Sequence, residues 1–374
     1  MAGAWIVAAK RTPVMPKGGA FNNIPASSLG AAVINAVCGD VDVPHIDQVI
    51  FGNALYGGGN PARVAALEAG LDESTPALSL DTQCCSGLDA ISLAASRVRS
   101  GDADAIICGG LESYSRAPIR QHRPLKAGAA PVAYDRPPFT PWPDRDPDML
   151  DAAAALAEAR SISRADQDAY AVESHRRASN DTEAAREIIP VAGHDRDGFT
   201  RTLSTKACAR LPVLAGTSAY GLSAATTAVE ADAASALLVV SDRIASAWAG
   251  PRIQILGAET AGFDPTMPAL APVVAVRDLL ARMGVMAGDI AYAEIMEAFA
   301  VQAMACISDL DLDPAVVNQR GGALARGHPI GASGAVLVVR LFHDLAARGR
   351  GALGLAAIAA AGGLGSAMMM RARS

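Results

Sequence analysis

Residues 78–110 read LSLDTQCCSGLDAISLAASRVRSGDADAIICGG, and this stretch decides the fold. Residues 78–82 read as a short strand. They lead into Gln83-Cys84-Cys85-Ser86-Gly87, after which the apolar residues take helical spacing through Leu88, Ile91, Ala94, Ala95 and Val98. Residues 103–108 form a second strand, closed by Gly109-Gly110. A strand, a helix and a strand in this order predict an α/β fold with a largely parallel sheet. Working outward, residues 5–9 and 48–55 read as strands and 27–37 and 61–69 as helices, the last opened by Pro61.

The second half of the chain repeats this logic. Residues 252–258 and 290–296 read as strands, 271–283 as a helix, and Glu297-Ala298-Phe299-Ala300 opens another. Gly331-Ala332-Ser333-Gly334 starts a helix to Ala347, and residues 352–361 are a strand closed by Gly362-Gly363. Residues 84–110 and 328–363 therefore share one order: a reactive side chain, Ser-Gly, a helix, an apolar strand and Gly-Gly. Two such halves would set Cys84 and His328 at one junction. Between them the composition changes. Residues 116–148 hold 8 of the 22 prolines, a density that predicts a long extended excursion without regular structure. Helices follow at 149–160 and 164–179, the second with Ser163 as N-cap. The expected division is an N-terminal half at 1–115 completed by 233–245, an insertion at 116–232, and a C-terminal half at 246–374.

Of the 374 residues 51% are apolar and 19% charged, enough for a sizeable core. A net charge of −6 argues against nucleic-acid binding, which needs a basic excess to neutralise phosphates. No run of 18 uninterrupted apolar residues is present to span a bilayer. The N-terminal apolar run precedes its charges, the reverse of a secretory signal, so a cytoplasmic protein is expected. Six cysteines without a Cys-x-x-Cys pair, and six histidines without ligand spacing, point to neither a disulfide framework nor a structural zinc site.

Two side chains carry the chemistry. A thiol at Cys84, ahead of a helix, would feel free N–H groups and the positive end of the helix dipole, which favour thiolate and an oxyanion. The same pattern suits Cys84 and Cys85 as small core residues. His328 lies in Arg326-Gly327-His328-Pro329-Ile330-Gly331 on a tight loop. There a neutral imidazole takes a thiol proton or donates to an oxyanion. A plain loop histidine or a glycine-rich phosphate cradle fits the same residues, although no P-loop pattern is present.

Together these segments resemble the thiolase family over nearly the whole chain. The stretches that carry the resemblance are residues 6–13 (IVAAKRTP), 59–63 (GNPAR), 83–88 (QCCSGL), 109–115 (GGLESYS), 162–171, 297–300 (EAFA) and 317–334 (VNQRGGALARGHPIGASG). The resemblance implies a five-layered α/β/α/β/α enzyme with two duplicated halves and an inserted loop domain. It also implies acyl transfer between coenzyme A thioesters, with Cys84 acylated and His328 as its partner. The coenzyme A thioester is then the substrate, no cofactor is held covalently, and a homodimer or homotetramer is expected.

Two positions depart from the family pattern. Met296 stands where the family carries an Asn that orients an oxyanion water, and a thioether donates no hydrogen bond. Ala359 stands where the family carries its second, proton-transferring Cys. Thioester formation on Cys84 survives these changes on paper, whereas enolate formation lacks its usual base. Substitute oxyanion or acid/base candidates are Glu297, Gly363 and Cys85, with His328 itself. For coenzyme A the candidates are Ser223, Arg123, Lys206 and Arg210, with further positive charge at Arg116, Arg120, His122 and Lys126. The leading expectation is an acyltransferase with an impaired or altered carbon–carbon step. The alternative is a non-catalytic lipid-transfer or assembly protein of the same fold.

Overall fold

The computed structural model describes residues 2–41, 43 and 45–373. Its strands are β1 (Ala4–Arg11), β2 (Met15–Pro16), β3 (Gln48–Gly52), β4 (Ala77–Leu80), β5 (Ala105–Ser113), β6 (Arg120–His122), β7 (Val132–Tyr134), β8 (Ala231–Ser241), β9 (Arg252–Gly262), β10 (Ile290–Ile295), β11 (Leu353–Ala360) and β12 (Leu364–Arg373). Its α-helices are α1 (Ala26–Asp40), α2 (Pro61–Glu68), α3 (Ser86–Ser100), α4 (Met149–Ala159), α5 (Arg164–Ser179), α6 (Ala184–Glu187), α7 (Thr205–Cys208), α8 (Asp242–Ala247), α9 (Ala271–Met283), α10 (Ala300–Asp309), α11 (Ala323–Arg326) and α12 (Ile330–Arg348).

The two halves have the same topology. In the first, β1, β8, β5 and β3 lie side by side, paired antiparallel, antiparallel and parallel in turn. In the second, β9, β12, β11 and β10 repeat that pattern. The half-sheets join where β1 meets β9 over Ala4–Ile255, Trp5–Gln254 and Ile6–Ile253.

Core composition resolves five layers. Leu88, Ile91, Val338 and Leu341 of α3 and α12 pack between the half-sheets with Ile106, Leu237, Ile358 and Met368. Leu29, Val33 and Ala65 of α1 and α2 cover the outer face of the first half-sheet, with Phe51 and Leu238. Val276, Leu279 and Cys306 of α9 and α10 cover the outer face of the second, with Leu355 and Met369. Helix α12 is long and apolar enough to cross a membrane by composition, but its apolar surface is buried in this middle layer.

Several elements differ from the sequence reading. The proline-rich stretch is not devoid of regular structure, because β6 and β7 pair antiparallel within it. Both strands fit between prolines, with Pro118 and Pro124 flanking one and Pro131 and Pro137 the other, so no ladder N–H is lost. Gly109 and Gly110 do not close β5, which continues to Ser113. A Cβ on Gly110 would lie 2.3 Å from the Gly331 carbonyl oxygen, so the glycine serves close contact with α12 instead of ending the strand. Gly362 and Gly363 end β11 by turning it back into β12, a strand the sequence reading lacks. Both have positive φ, +78° and +77°, as a tight hairpin turn requires. The strand at 48–55 stops at Gly52, and the helix expected from Glu297 starts at Ala300.

Candidate active site

Cys84 stands in a tight turn between β4 and α3. The turn is tied by the Ser86 hydroxyl, which accepts from the Thr82 N–H (2.9 Å) and donates to the Gln83 carbonyl (2.5 Å). Gln83 has φ +56°, a left-handed conformation that bulky residues rarely adopt, directly before the thiol. His328 is set by the matching junction of the other half. Its N–H donates to the Val229 carbonyl (2.8 Å), in a short parallel bridge beside Glu230.

Crossing of α3 and α12 brings the two junctions together. A Cβ on Gly334 would lie 2.6 Å from the Leu88 nitrogen, and one on Gly87 would lie 2.8 Å from the Ala335 nitrogen. Glycine at both positions lets the backbones touch. Glu112 at the end of β5 adds a clamp, accepting from the Ala54 N–H (2.9 Å) and the Gly331 N–H (3.0 Å) at the start of α12. As a result His328 Nε2 is 3.3 Å from Cys84 Sγ.

The tautomer follows from the other ring nitrogen. His328 Nδ1 is 2.6 Å from the Ser333 hydroxyl, which donates its single proton to the Pro329 carbonyl (3.1 Å). The hydroxyl must therefore accept from Nδ1–H, leaving Nε2 bare and facing the thiol. Burial pushes the imidazole down to about 4, so it is neutral at pH 7. Burial also pushes Cys84 up to about 12, against the pull of its own N–H and that of Ala361 and with a further push from Glu112. The thiolate expected from the helix terminus is thus not the resting state. Desolvation outweighs the dipole, and the pair rests as neutral thiol and neutral base.

These two groups open onto a cavity of about 350 Å³, lined among others by Leu55, Tyr114, Phe139, Met149, Phe299 and Ala359. It is mostly apolar and of a size that suits a small-molecule ligand. Ala359 lines the same cavity as Cys84 and His328 and contributes only a methyl group to it. Met296 does not line it and is buried in the middle-layer core.

The substitute candidates lie elsewhere. Cys85 is fully buried, with its sulfur 3.6 Å from the Ile358 carbonyl, and burial raises its thiol well above the ordinary range. Glu297 points behind the cavity, where it accepts from Tyr170 (3.1 Å), Ser174 (2.7 Å), Asn318 (2.8 Å) and the Leu324 N–H (3.2 Å). Gly363 sits in the β11–β12 turn, its carbonyl accepting from Phe263. Ala361, two residues earlier, lines the cavity, and its backbone N–H is among the groups that pull the Cys84 thiol down.

Among the coenzyme A candidates, Arg123, Lys206 and Arg210 are exposed, and none lines the cavity. Ser223 is fully buried, its hydroxyl accepting from the Ala225 N–H. Arg116 is exposed and outside the cavity, as are Lys126 and His122, which stacks on Tyr134. Arg120 does line it. The structure adds Thr227, whose hydroxyl is buried on the cavity wall without a hydrogen-bond partner among the described residues. It also adds Tyr114, Ser333, Ala361 and Gln302. Of these Ser333 and Tyr114 stood in stretches the sequence analysis singled out, Gly-Ala-Ser-Gly and GGLESYS.

A duplicated five-layer fold with a thiol and an imidazole at the junction of its halves defines an acyltransferase of the thiolase kind. The chain belongs to the thiolase family. Residues 4–243 match the family's "Thiolase, N-terminal domain" and residues 250–372 its "Thiolase, C-terminal domain". It is 38% identical over 372 residues to the Bacillus subtilis (strain 168) protein named "Putative acetyl-CoA C-acetyltransferase YhfS", covering 98% of each chain. A Mycolicibacterium smegmatis protein named "Probable acetyl-CoA acetyltransferase" is 36% identical, over 98% of this chain and all of that one. Among solved structures, the acetyl-CoA acetyltransferase of Bacillus anthracis superposes with a TM-score of 0.91 at 29% identity, over 100% of this chain and 99% of that one. The Ascaris suum Acat5 thiolase, solved in complex with coenzyme A, superposes at 0.90 with 30% identity, over 99% and 100%.

Proposed function

We propose that this protein loads an acyl group from an acyl-CoA thioester onto Cys84, and that its carbon–carbon bond step is impaired. The observation that carries this reading is the contrast at one cavity: a dyad at 3.3 Å with a bare, neutral Nε2, and Ala359 on the wall of the same cavity. In the first step the Cys84 proton passes to Nε2 as sulfur attacks the thioester carbonyl carbon. The backbone N–H groups of Cys84 and Ala361, which favour the thiolate form of Cys84, would also suit the negative charge that develops on the carbonyl oxygen. As the tetrahedral adduct collapses, the carbon–sulfur bond to coenzyme A breaks, and the leaving thiolate takes the proton back from the imidazolium. The Thr227 hydroxyl and Arg120, both on the cavity wall, would meet the pantetheine and its polar groups.

The second half-reaction needs a base at the acyl α-carbon. Ala359 has none, Cys85 faces the core, and Glu297 is turned away with four donors on its carboxylate. The acyl group on Cys84 is then passed to a heteroatom acceptor or to water. The pre-aligned dyad favours this over a purely structural or lipid-carrying role. The chain division proposed with it is a first half at 1–115 completed by 233–245, an insertion at 116–232 and a second half at 246–374. Strand β4 ends the sheet with Leu78 exposed beside Leu67 and Val64 of α2, an apolar edge suited to a second copy in a homodimer.

Intact-protein mass spectrometry after mixing with acetyl-CoA tests the reading. One acetyl group per chain is expected, and none in Cys84→Ala. Thiolysis of acetoacetyl-CoA is expected to be weak and to rise in Ala359→Cys by about 10²–10⁴-fold, the usual share of a general acid/base. An unacylated wild-type chain overturns the loading step; robust wild-type thiolysis overturns the impairment.

A further inference from the structure

Glu112, next to last in β5, is completely buried and makes no ion pair among the described residues. Its oxygens accept from Asn53 Nδ2 (2.6 Å), the Ala54 N–H (2.9 Å) and the Gly331 N–H (3.0 Å). The Asn53 amide cannot be turned over. Its Nδ2 also donates to the Leu111 carbonyl (2.9 Å), so both groups it meets are acceptors. The hydrogen-bond partners of the carboxyl are therefore all donors, an arrangement that suits the ionised form. A protonated carboxyl would set its own O–H against one of these N–H groups. Burial works in the opposite direction. It pushes the carboxyl up to about 7, against the pull of the N–H groups of Ala54, Gly331, Leu55 and Ser113.

Gly331 couples this carboxyl to the dyad. It lies in the first turn of α12, three residues after His328 and two before Ser333, whose hydroxyl meets Nδ1. A Cβ on Gly331 would lie 2.7 Å from Asn53 Cα and 2.8 Å from Glu112 Oε2, so this turn rests directly on the carboxyl. We propose that Glu112 is a positioning residue for the loading step: as a carboxylate it pins the first turn of α12 and so holds the imidazole against Cys84, and on protonation that hold loosens. This rests on the acyl-loading reading above. The ionisable groups around the carboxyl are Cys84, Asp81 and His328 at the two junctions, Tyr114 and Asp232 beside it on β5 and β8, and Arg120 and Glu230 beyond Tyr114. Arg116 and Tyr56 share with it a second cavity, of about 230 Å³. The dyad titrates at about 4 and about 12, and burial raises the Tyr114 phenol above its ordinary range, so these three give no inflection near neutrality. The sign separates positioning from a through-space effect. The Glu112 charge pushes the Cys84 thiol up, so on charge alone its protonation would speed acylation; lost positioning slows it.

The test follows acetylation of Cys84 in the full-length chain by saturating acetyl-CoA, by intact mass, from about pH 5.5 to 9. The rate should fall roughly ten- to hundredfold from the alkaline plateau, with a midpoint near 7. Glu112→Gln should lower the plateau by a similar factor, remove the inflection and leave the half-saturating acetyl-CoA concentration unchanged. A second measurement needs neither acyl-CoA nor a variant of Glu112. In the free wild-type enzyme labelled with ¹³C-histidine, the His328 Cε1 resonance, assigned by its loss in His328→Gln, should shift with a midpoint near 7. A rate that is flat or rises as pH falls, or a glutamine variant that keeps the inflection, overturns the proposal. An adduct with a flat rate sinks only the Glu112 assignment. No adduct at any pH sinks the loading step, and the His328 resonance then decides on Glu112: a shift near 7 supports its hold on the imidazole, and none overturns it.

Discussion

Two buried polar regions of this molecule titrate in opposite ways. At the cavity, Cys84 and His328 face each other with no counter-ion, and burial leaves both neutral, the thiol up at about 12 and the imidazole down at about 4. A second cluster ties β1, the insertion and α12 together, and it is fully ionic. Glu187 is completely buried, yet it accepts from Arg11 (2.8 Å), Arg320 (2.9 Å) and Arg340 (3.2 Å). Burial favours its neutral form, but the three guanidiniums outweigh that and hold its carboxyl well below the usual range. Arg11 gains Asp197 (2.7 Å) and Arg340 gains Glu294 (3.1 Å). Asp344, which pairs directly with Arg320 (2.7 Å) and also lies near Glu294, is pushed up by burial. Charge state here follows the count of opposite partners, and burial only raises the stakes. The ionic cluster holds one geometry, while the neutral pair can move a proton without separating buried charge at rest.

Breaking the ionic side should have the largest effect. Glu187→Gln leaves Arg11 and Arg340 buried with too little negative charge, and should cost about 3–5 kcal/mol of stability in chemical denaturation. A loss under 1 kcal/mol would mean that the cluster relaxes to admit water. Next, His328→Gln removes the base from a neutral pair. Cys84 acylation by acetyl-CoA should fall by about 10²–10⁴-fold with little change in melting temperature, and an equal loss of both would make His328 a structural residue.

The smallest effect sharpens the comparison through pH. His328 titrates near 4 in the folded chain against an ordinary 6.5, so between those values the unfolded chain binds the extra proton. Stability is complete above about pH 6.5 and declines as pH falls toward 4. His328→Gln should remove on the order of 1–3 kcal/mol of that decline. An unchanged pH slope would show that the imidazole is hydrated in solution.

Much of the architecture was legible in the order of residues. Period-2 and period-3.6 runs placed most strands and helices, and the repeated order around Cys84 and His328 exposed the duplication. What misled was Gly109-Gly110, read as an end of β5 where it is a contact surface for α12; Gly362-Gly363 does end β11, by a hairpin whose return strand was not read from the residues. Arg11 and Arg320 stood in motifs without an evident task, because their partners Glu187, Asp197 and Asp344 lie 24 to 186 residues away in the chain.

By itself the sequence determined which chemical groups exist: one thiol and one imidazole at matching junctions, and no proton carrier at Ala359 or hydrogen-bond donor in the side chain of Met296. Those are covalent facts and need no fold. The tertiary structure alone decided that Nε2 lies 3.3 Å from the sulfur and that the Ser333 hydroxyl meets the other ring nitrogen. It also decided that Cys84 rests as a thiol, since desolvation is summed over everything packed around the site and no local stretch of residues encodes that sum.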